Sequence, residues 1–274
     1  MDIDFPLVLT SAVLLSGLIW AIDSWFLRPK RKSQAQGADP TANDSAESAP
    51  EPILVEYAKS FFPVLLFVLV LRSFVVEPYQ IPSGSMIPTL EVGDFILVNK
   101  YAYGLRLPVV GTKVLEVGAP QRGDVMVFIP KHESDYFIKR VIGLPGDKIR
   151  YQNKTLYVND ERQDYEFVRE FTVPGRFPGD TVVMREYEER LGDVVHPIYR
   201  AAFPEAPAEW QVPADHYFMM GDNRDNSFDS RGWSTLQPDF AFVPEANIVG
   251  RAFVIWMHMP GWVIPSFGRN QKIR

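Results

Sequence analysis

Two serines and one lysine are the residues best suited to chemistry. Ser83 and Ser85 lie in the stretch Ile81-Pro82-Ser83-Gly84-Ser85-Met86-Ile87-Pro88-Thr89-Leu90, with proline near both ends. Proline fixes φ and lacks an N–H, so this stretch is neither a helix nor a central strand. Gly84 permits torsions that bring backbone groups close to a ligand. The expectation is a rigid loop that presents Ser85 in one orientation. A serine hydroxyl needs a base before it attacks a carbonyl. The four histidines, His132, His196, His216 and His258, form no paired metal or catalytic pattern and read as isolated surface or core residues. Lys139 is the alternative base. A free lysine has a pKa near 10.4; apolar burial that costs the ammonium about 3–4 kcal/mol would make it a usable base at neutral pH. In a strand, Phe137, Lys139 and Val141 share one face, which supplies the apolar flanks. The plainer readings are a polar turn for the serines and an exposed edge-strand lysine that guards against aggregation.

A third stretch is Gly221-Asp222-Asn223-Arg224-Asp225-Asn226-Ser227-Phe228-Asp229-Ser230-Arg231. A calcium loop is the obvious competitor, but counting from Asp222 puts Arg224 third and Ser227 sixth, where the pattern wants an oxygen ligand and glycine. Asp and Arg this close together read instead as ion pairs that stiffen a loop, with Ser227 free to hydrogen-bond a buried amine. The chain of 274 residues has no cysteine, so it has no disulfide, thiolate metal site or cysteine nucleophile. Its net charge of −6 argues against a nucleic-acid partner. No metal and no cofactor are expected.

The elements that must position these residues begin with membrane segments. Phe5 to Ile22 is uncharged and long enough to span a bilayer, with Trp20 and Trp25 suited to an interface. The residues before it are acidic, which speaks against a cleavable signal peptide. Arg28, Lys30, Arg31 and Lys32 follow and mark a cytoplasmic loop. Ser33 to Pro52 reads as a disordered tether rich in Ala, Ser, Pro and acids. Tyr57 to Val76 is a second span, apolar all round from Phe61 to Leu71, with Lys59 and Arg72 near its ends able to snorkel. Everything from Glu77 onward is then extracytoplasmic. Ser85 is nine residues past Val76, at most about 30 Å of chain, so it works at the bilayer surface.

Beyond Leu90 the pattern is β. Strands are expected over Asp94–Lys100, Val125–Ile129 and Tyr136–Ile142, with a hairpin over Ile149–Val158 turning at residues 152–154. Two further strands are expected over Tyr217–Met220 and Ile248–Met257. Asp160 to Pro213 is polar and proline-punctuated, with short strand candidates at Glu166–Thr172 and Thr181–Tyr187. The expected fold is mainly β: two N-terminal transmembrane helices, then an antiparallel β-rich catalytic domain with a smaller inserted β domain. The boundaries are 1–27 for the first span, 28–56 for the loop, 57–76 for the second span, 77–150 and 214–274 for the catalytic domain, and 151–213 for the insert. The aromatic and basic tail, with Trp256, Trp262, Phe267, Arg269, Lys272 and Arg274, suits either lipid contact or a solvated terminus.

Four motifs in this order, behind two spans, resemble bacterial type I signal peptidases. They are Ser83-Gly84-Ser85-Met86-x-Pro88-Thr89, Arg122-Gly123-Asp124-Val125, Lys139-Arg140-Val141-x-Gly143-x-Pro145-Gly146-Asp147, and the Gly221 to Arg231 run. The resemblance covers Glu77 to about Pro265. It implies a membrane-bound serine endopeptidase that removes signal peptides, with Ser85 as nucleophile and Lys139 as general base. The Ser85 N–H and the Ser83 hydroxyl would form the oxyanion hole, and Ser227 would orient the lysine. Arg140 with Asp222, and Asp229 with Arg231, would be supporting ion pairs. Ile81, Pro82, Met86, Leu90 and Ile138 match positions shaping the pocket for the residue before the cut; Tyr79, Ile96 and Val127 match the pocket two residues further back. Both take small residues in the family. The implied partners are preprotein signal peptides and the lipid bilayer of the inner membrane, with the export translocon a further candidate. Two departures are that some relatives carry a disulfide, which this chain cannot, and that the inserted segment matches poorly. Two other classes compete. A self-cleaving repressor also uses Ser and Lys but needs a DNA-reading segment, and an envelope scaffold needs no reactive serine.

Overall fold

A computed structural model describes residues 5–31, 51–106, 112–175, 177, 179–261 and 264–273. The chain divides into two compact units, Met1–Val75 with Arg106–Val114, and Val76–Leu105 with Leu115–Arg274. The first is built on two helices. α1 (Phe5–Ile22) carries no charge and continues through a wide turn at Asp23–Leu27 as far as Arg31. α2 (Ile53–Val70) extends through Leu71–Val75. The helices meet at Gly17, where a Cβ would stand 2.7 Å from the Phe62 ring, and Trp20 packs on that ring at 5.5 Å between centroids. A glycine at the crossing is what lets apolar helices approach closely. Their outer faces are apolar too: Leu14, Leu15, Leu18 and Phe67 are all more than half exposed. Eighteen helical residues rise about 27 Å. Both helices are long and apolar enough to cross a membrane, and such outward faces suit lipid.

The helix ends depart from the sequence expectation. Arg28 to Arg31 belong to the helix rather than the loop, because the buried Asp23 carboxylate takes a bidentate ion pair from Arg31 at 2.6 and 2.9 Å. The second helix starts at Ile53, before Tyr57, and Val76 already belongs to a strand. The expected tether lies outside the described residues as far as residue 50.

The strands in chain order are β1 (Val76–Gln80), β2 (Asp94–Asn99), the short β3 (Leu105–Arg106) and β4 (Lys113–Leu115), β5 (Val125–Phe128) and β6 (Phe137–Gly143). Then come β7 (Lys148–Gln152), β8 (Thr155–Val158), β9 (Glu161–Arg162), β10 (Tyr165–Pro174), β11 (Thr181–Leu191), β12 (Val194–Ala201) and β13 (Ala208–Gln211). The last are β14 (His216–Met220), a helix α3 (Ser230–Leu236), β15 (Phe242–Pro244), β16 (Ile248–His258) and β17 (Gln271–Lys272). The main antiparallel sheet has eight strands in the order β1-β2-β16-β5-β6-β14-β15, with β17 also on β16. Pro78 is tolerated because β1 is an edge. β13-β7-β8-β9 form a second sheet and β10-β11-β12 a third. The β7–β8 hairpin turns at Asn153 and Lys154, with φ of 49° and 62°, the left-handed torsions of a two-residue hairpin loop.

The insert is more regular than its sequence suggests. The two short strands expected there are ten and eleven residues long, and β12 joins them, while β13 pairs with β7. Charged residues hide the period, because β10 buries no side chain and pairs with β11 through cross-strand contacts. Arg169 binds Glu186 at 2.6 Å, Arg185 binds Glu170 at 2.8 Å, and Phe171 packs on Tyr199 at 5.0 Å.

The main sheet is tightest where β16 lies between β2 and β5. A Cβ on Gly250 would come within 2.5 Å of the Asn99 carbonyl and 2.9 Å of Val98 Cγ1. Gly250→Ala is therefore expected to destabilise the protein by about 1–3 kcal/mol through overpacking, read as a lower urea midpoint with unchanged slope.

Candidate active site

Ile81, Met86 and Leu90 are buried in one apolar cluster with Ile96, Val98, Val125, Val127 and Ile255. They fasten the serine stretch to the sheet. Between them Gly84–Met86 makes a single 3-10 turn, flanked by the extended residues Ser83 and Ile87. Leu90 N–H closes the segment by donating to the Met86 carbonyl at 2.9 Å. The anchoring leaves Ser85, 8% exposed, facing the sheet.

Lys139 comes from β6, inside the sheet between β5 and β14. Its Nζ donates to Ser85 Oγ at 2.6 Å. The Phe137 ring lies 5.7 Å from the same nitrogen, and Val141 is buried in the core below. Lys139 is 4% exposed, and this burial pushes its pKa down to about 8 against the opposing fields of Asp229 and Asp222. Ser83 Oγ lies 3.5 Å from Ser85 Oγ.

The Gly221 to Arg231 run holds the other side. Asn223 N–H donates to the Ser85 carbonyl at 3.1 Å and its Nδ2 to the Gly84 carbonyl at 2.9 Å. Gly221 has no room for a side chain: a Cβ would run into the Ser85 carbonyl and Ser227 Oγ. Ser227 Oγ is buried and makes no hydrogen bond among the described residues. Asp222 takes two bonds from Arg140, at 2.8 and 2.7 Å, and Arg140 also donates to the Gly123 carbonyl at 2.7 Å. Burial raises the Asp222 carboxyl, but Arg140, with help from His196 and Thr89, holds the group below the usual carboxylate range. Thr89 O–H donates to the same carboxylate, which ties the serine stretch to the loop. Asp229 takes Arg231 at 2.9 and 2.8 Å and the Gly221 N–H at 3.0 Å, and it too is held low by Arg231 against burial.

These groups open on a cleft of about 740 Å³, lined by Pro82 to Ser85, Tyr136 to Lys139 and Asp225 to Phe228. Tyr79 and Ile138 pack partly exposed on the cluster that holds Ile81, Met86, Leu90, Ile96 and Val127. All eight positions matched to the two substrate pockets thus lie in that cluster or on the cleft wall. Asn223 and Thr89 are contacts the sequence reading did not assign. Both stand inside its motifs, so the signal was present without a partner to give it meaning.

The family model described as "Signal peptidase, peptidase S26" matches residues 54–257. The chain belongs to the type I signal peptidases. It is 51% identical to signal peptidase I of Pseudomonas fluorescens, covering all of both chains. To that of Pseudomonas aeruginosa it is 50% identical, over 98% of each. A crystal structure of a signal peptidase I from Enterococcus faecalis aligns with 25% identity and a TM-score of 0.29, over 50% of this chain and 98% of that one. As a type I signal peptidase, the chain is a membrane-anchored enzyme that removes signal peptides from preproteins.

The Arg140–Asp222 pair is wholly buried, so breaking it leaves an unpaired guanidinium in the core. Asp222→Asn is expected to cost about 3–5 kcal/mol in thermal or urea unfolding, far beyond a surface substitution.

Proposed function

We propose that Ser85 is the nucleophile and Lys139 its general base in a Ser-Lys endopeptidase. The observation that carries this is the 2.6 Å contact between Lys139 Nζ and Ser85 Oγ in a setting that lowers the amine to about 8. The signal peptide's cleavage site lies extended along the Ile81 to Ser85 wall. Lys139 accepts the Ser85 proton as Oγ attacks the scissile carbonyl. The Ser85 N–H and the Ser83 hydroxyl stabilise the tetrahedral oxygen. The protonated amine then gives its proton to the leaving amine of the mature protein, and a water activated by Lys139 hydrolyses the acyl-enzyme. Ser227, whose buried hydroxyl beside the cleft has no partner among the described residues, orients the lysine.

The enzyme cuts after small residues at −3 and −1. In support, Ile81, Met86, Leu90, Ile138 and Pro82 for −1, and Tyr79, Ile96 and Val127 for −3, make apolar walls. Such walls reject long or charged side chains. Residues 77 onward then lie on the outer side of the inner membrane; two apolar helices, with a basic cluster closing the first, support this reading. Enzyme and substrate then share the bilayer, which limits the search. The translocon that delivers preproteins is a natural neighbour. A scaffold role would survive loss of the serine, so the same variants separate the two readings.

Purified full-length protein in detergent, given a signal peptide with Ala at both specificity positions, tests the dyad by product mass. Ser85→Ala and Lys139→Ala are expected to lose at least roughly a thousandfold in kcat/KM. Variants that still process the peptide would remove the assignment. Because the neutral amine is the active form, kcat/KM is expected to rise with pH through about 8 and level off above it. A profile already flat at pH 6 would exclude Lys139 as the base.

A further inference from the structure

Every residue from Asp222 to Asp225 is tied down, but not to the same part of the chain. Asp222 and Asn223 are fastened to the serine stretch and β6, through Arg140, Thr89 and the Ser85 carbonyl. Arg224 and Asp225 are fastened to the insert. The Arg224 guanidinium is buried and makes a two-pronged ion pair with Glu189 of β11, one prong at 2.7 Å. The Asp225 carboxylate accepts from the Ala201 N–H of β12 at 2.8 Å and pairs with Lys154 of the β7–β8 turn. Asp222 also touches the insert by its backbone, since its carbonyl accepts from Tyr199 N–H at 2.9 Å.

Glu189 is the centre of this second set. It is fully buried, and beside Arg224 it meets Arg200 at 3.3 Å and His196 at 3.5 Å. His196 in turn lies 3.4 Å from Asp222, so the two ion pairs form one cluster behind the cleft. Two guanidinium groups converge on one carboxylate, whose charge sets where Arg224 can sit. Ser227 is three residues further along the same short loop, and a Cβ on Gly221 would run into both its hydroxyl and the Ser85 carbonyl.

We propose that Glu189 is a positioning residue for the reaction. Through Arg224, the β11–β12 hairpin of the insert braces the Gly221–Ser227 loop and fixes Ser227 against the Ser85–Lys139 pair. The proposal rests on the Ser-Lys reading above. It gives the insert a part in catalysis without contact with substrate. A loop that shifts by about 1 Å at such a site can lose on the order of a hundredfold in rate, while the walls that hold the substrate stay in place.

The test uses full-length protein in detergent and the same Ala-x-Ala signal peptide. Active sites are titrated with a serine-acylating penem, so that kcat refers to folded enzyme. Glu189→Asp keeps the charge but withdraws the carboxylate by about 1.5 Å. It is expected to lower kcat about ten- to a hundredfold with KM within about threefold, and Glu189→Gln to lower it further. Arg224→Lys, which loses the fork but keeps the charge, is expected to show the same split. The proposal is overturned if Glu189→Asp keeps its kcat per titrated site, or if kcat falls only in step with the titrated fraction, as loss of folded protein would give. Should the Glu189 variants fail to accumulate, Arg224→Lys decides on the same criteria. A Ser85→Ala control that still cuts refutes the dyad instead, and the brace with it.

Discussion

The whole arrangement depends on keeping one amine out of water beside one hydroxyl. Bringing Lys139 from 10.5 down to about 8 corresponds to roughly 3 kcal/mol of disfavoured ammonium. Two carboxylates close by, Asp222 and Asp229, pull the other way. Each is bound in fork geometry by its own arginine, Arg140 and Arg231. Neutralised in this way, they can order the loop without restoring the lysine's proton. Burial therefore wins over field.

The same requirement explains the position of the lysine on β6. A lysine on an edge strand would find water along its whole stem. β6 lies inside the main sheet, with β5 on one side and β14 on the other, and Lys139 lines the cleft. The serine must then be brought to the sheet. The apolar side chains of Ile81, Met86 and Leu90 do that, helped by backbone bonds from Ile81 to Asp94 and from Asn223 to Ser85. The two serines, the glycine and the prolines set the local shape; the hydrophobic anchors set its place.

Much of this was legible because it is local. Proline and glycine around Ser85, β-branched and aromatic runs from Asp94 to Val158, and the uncharged run from Phe5 each announce their conformation within a few residues. The insert was less legible, since β10 and β11 are held by Arg–Glu and aromatic cross-strand pairs and show no single apolar face. The helix over Ser230–Leu236 was hidden because its N-cap, Asp229, is read in sequence as part of a charged run. Asn223 was invisible for a different reason: it acts on Gly84, 139 positions away. Glu189 is one of several acids in a polar strand, and the approach of Arg224, Arg200 and His196 distinguishes it from Glu188, which is exposed. Ser227 shows the converse. Its motif suggested a bond to the lysine, whereas its buried hydroxyl has no partner among the described residues.

That cluster of charges behind the cleft is poorly explained as a source of stability. A buried ion pair seldom outperforms well-packed apolar side chains of the same volume, because desolvating both ions offsets their attraction. Hydrophobic packing, however, tolerates small slides, whereas a guanidinium fork on a carboxylate accepts one geometry. Arg140 illustrates the difference, with three donors committed to Asp222 and the Gly123 carbonyl at 2.7–2.8 Å. Arg231 does likewise, joining Asp229 to the Arg224 carbonyl at 2.6 Å. A loop that has to hold a hydroxyl within tenths of an ångström of a reacting pair needs directional bonds of this kind. The desolvation they cost is met by the three apolar clusters around them, and the directional geometry is what a packed core alone would not supply.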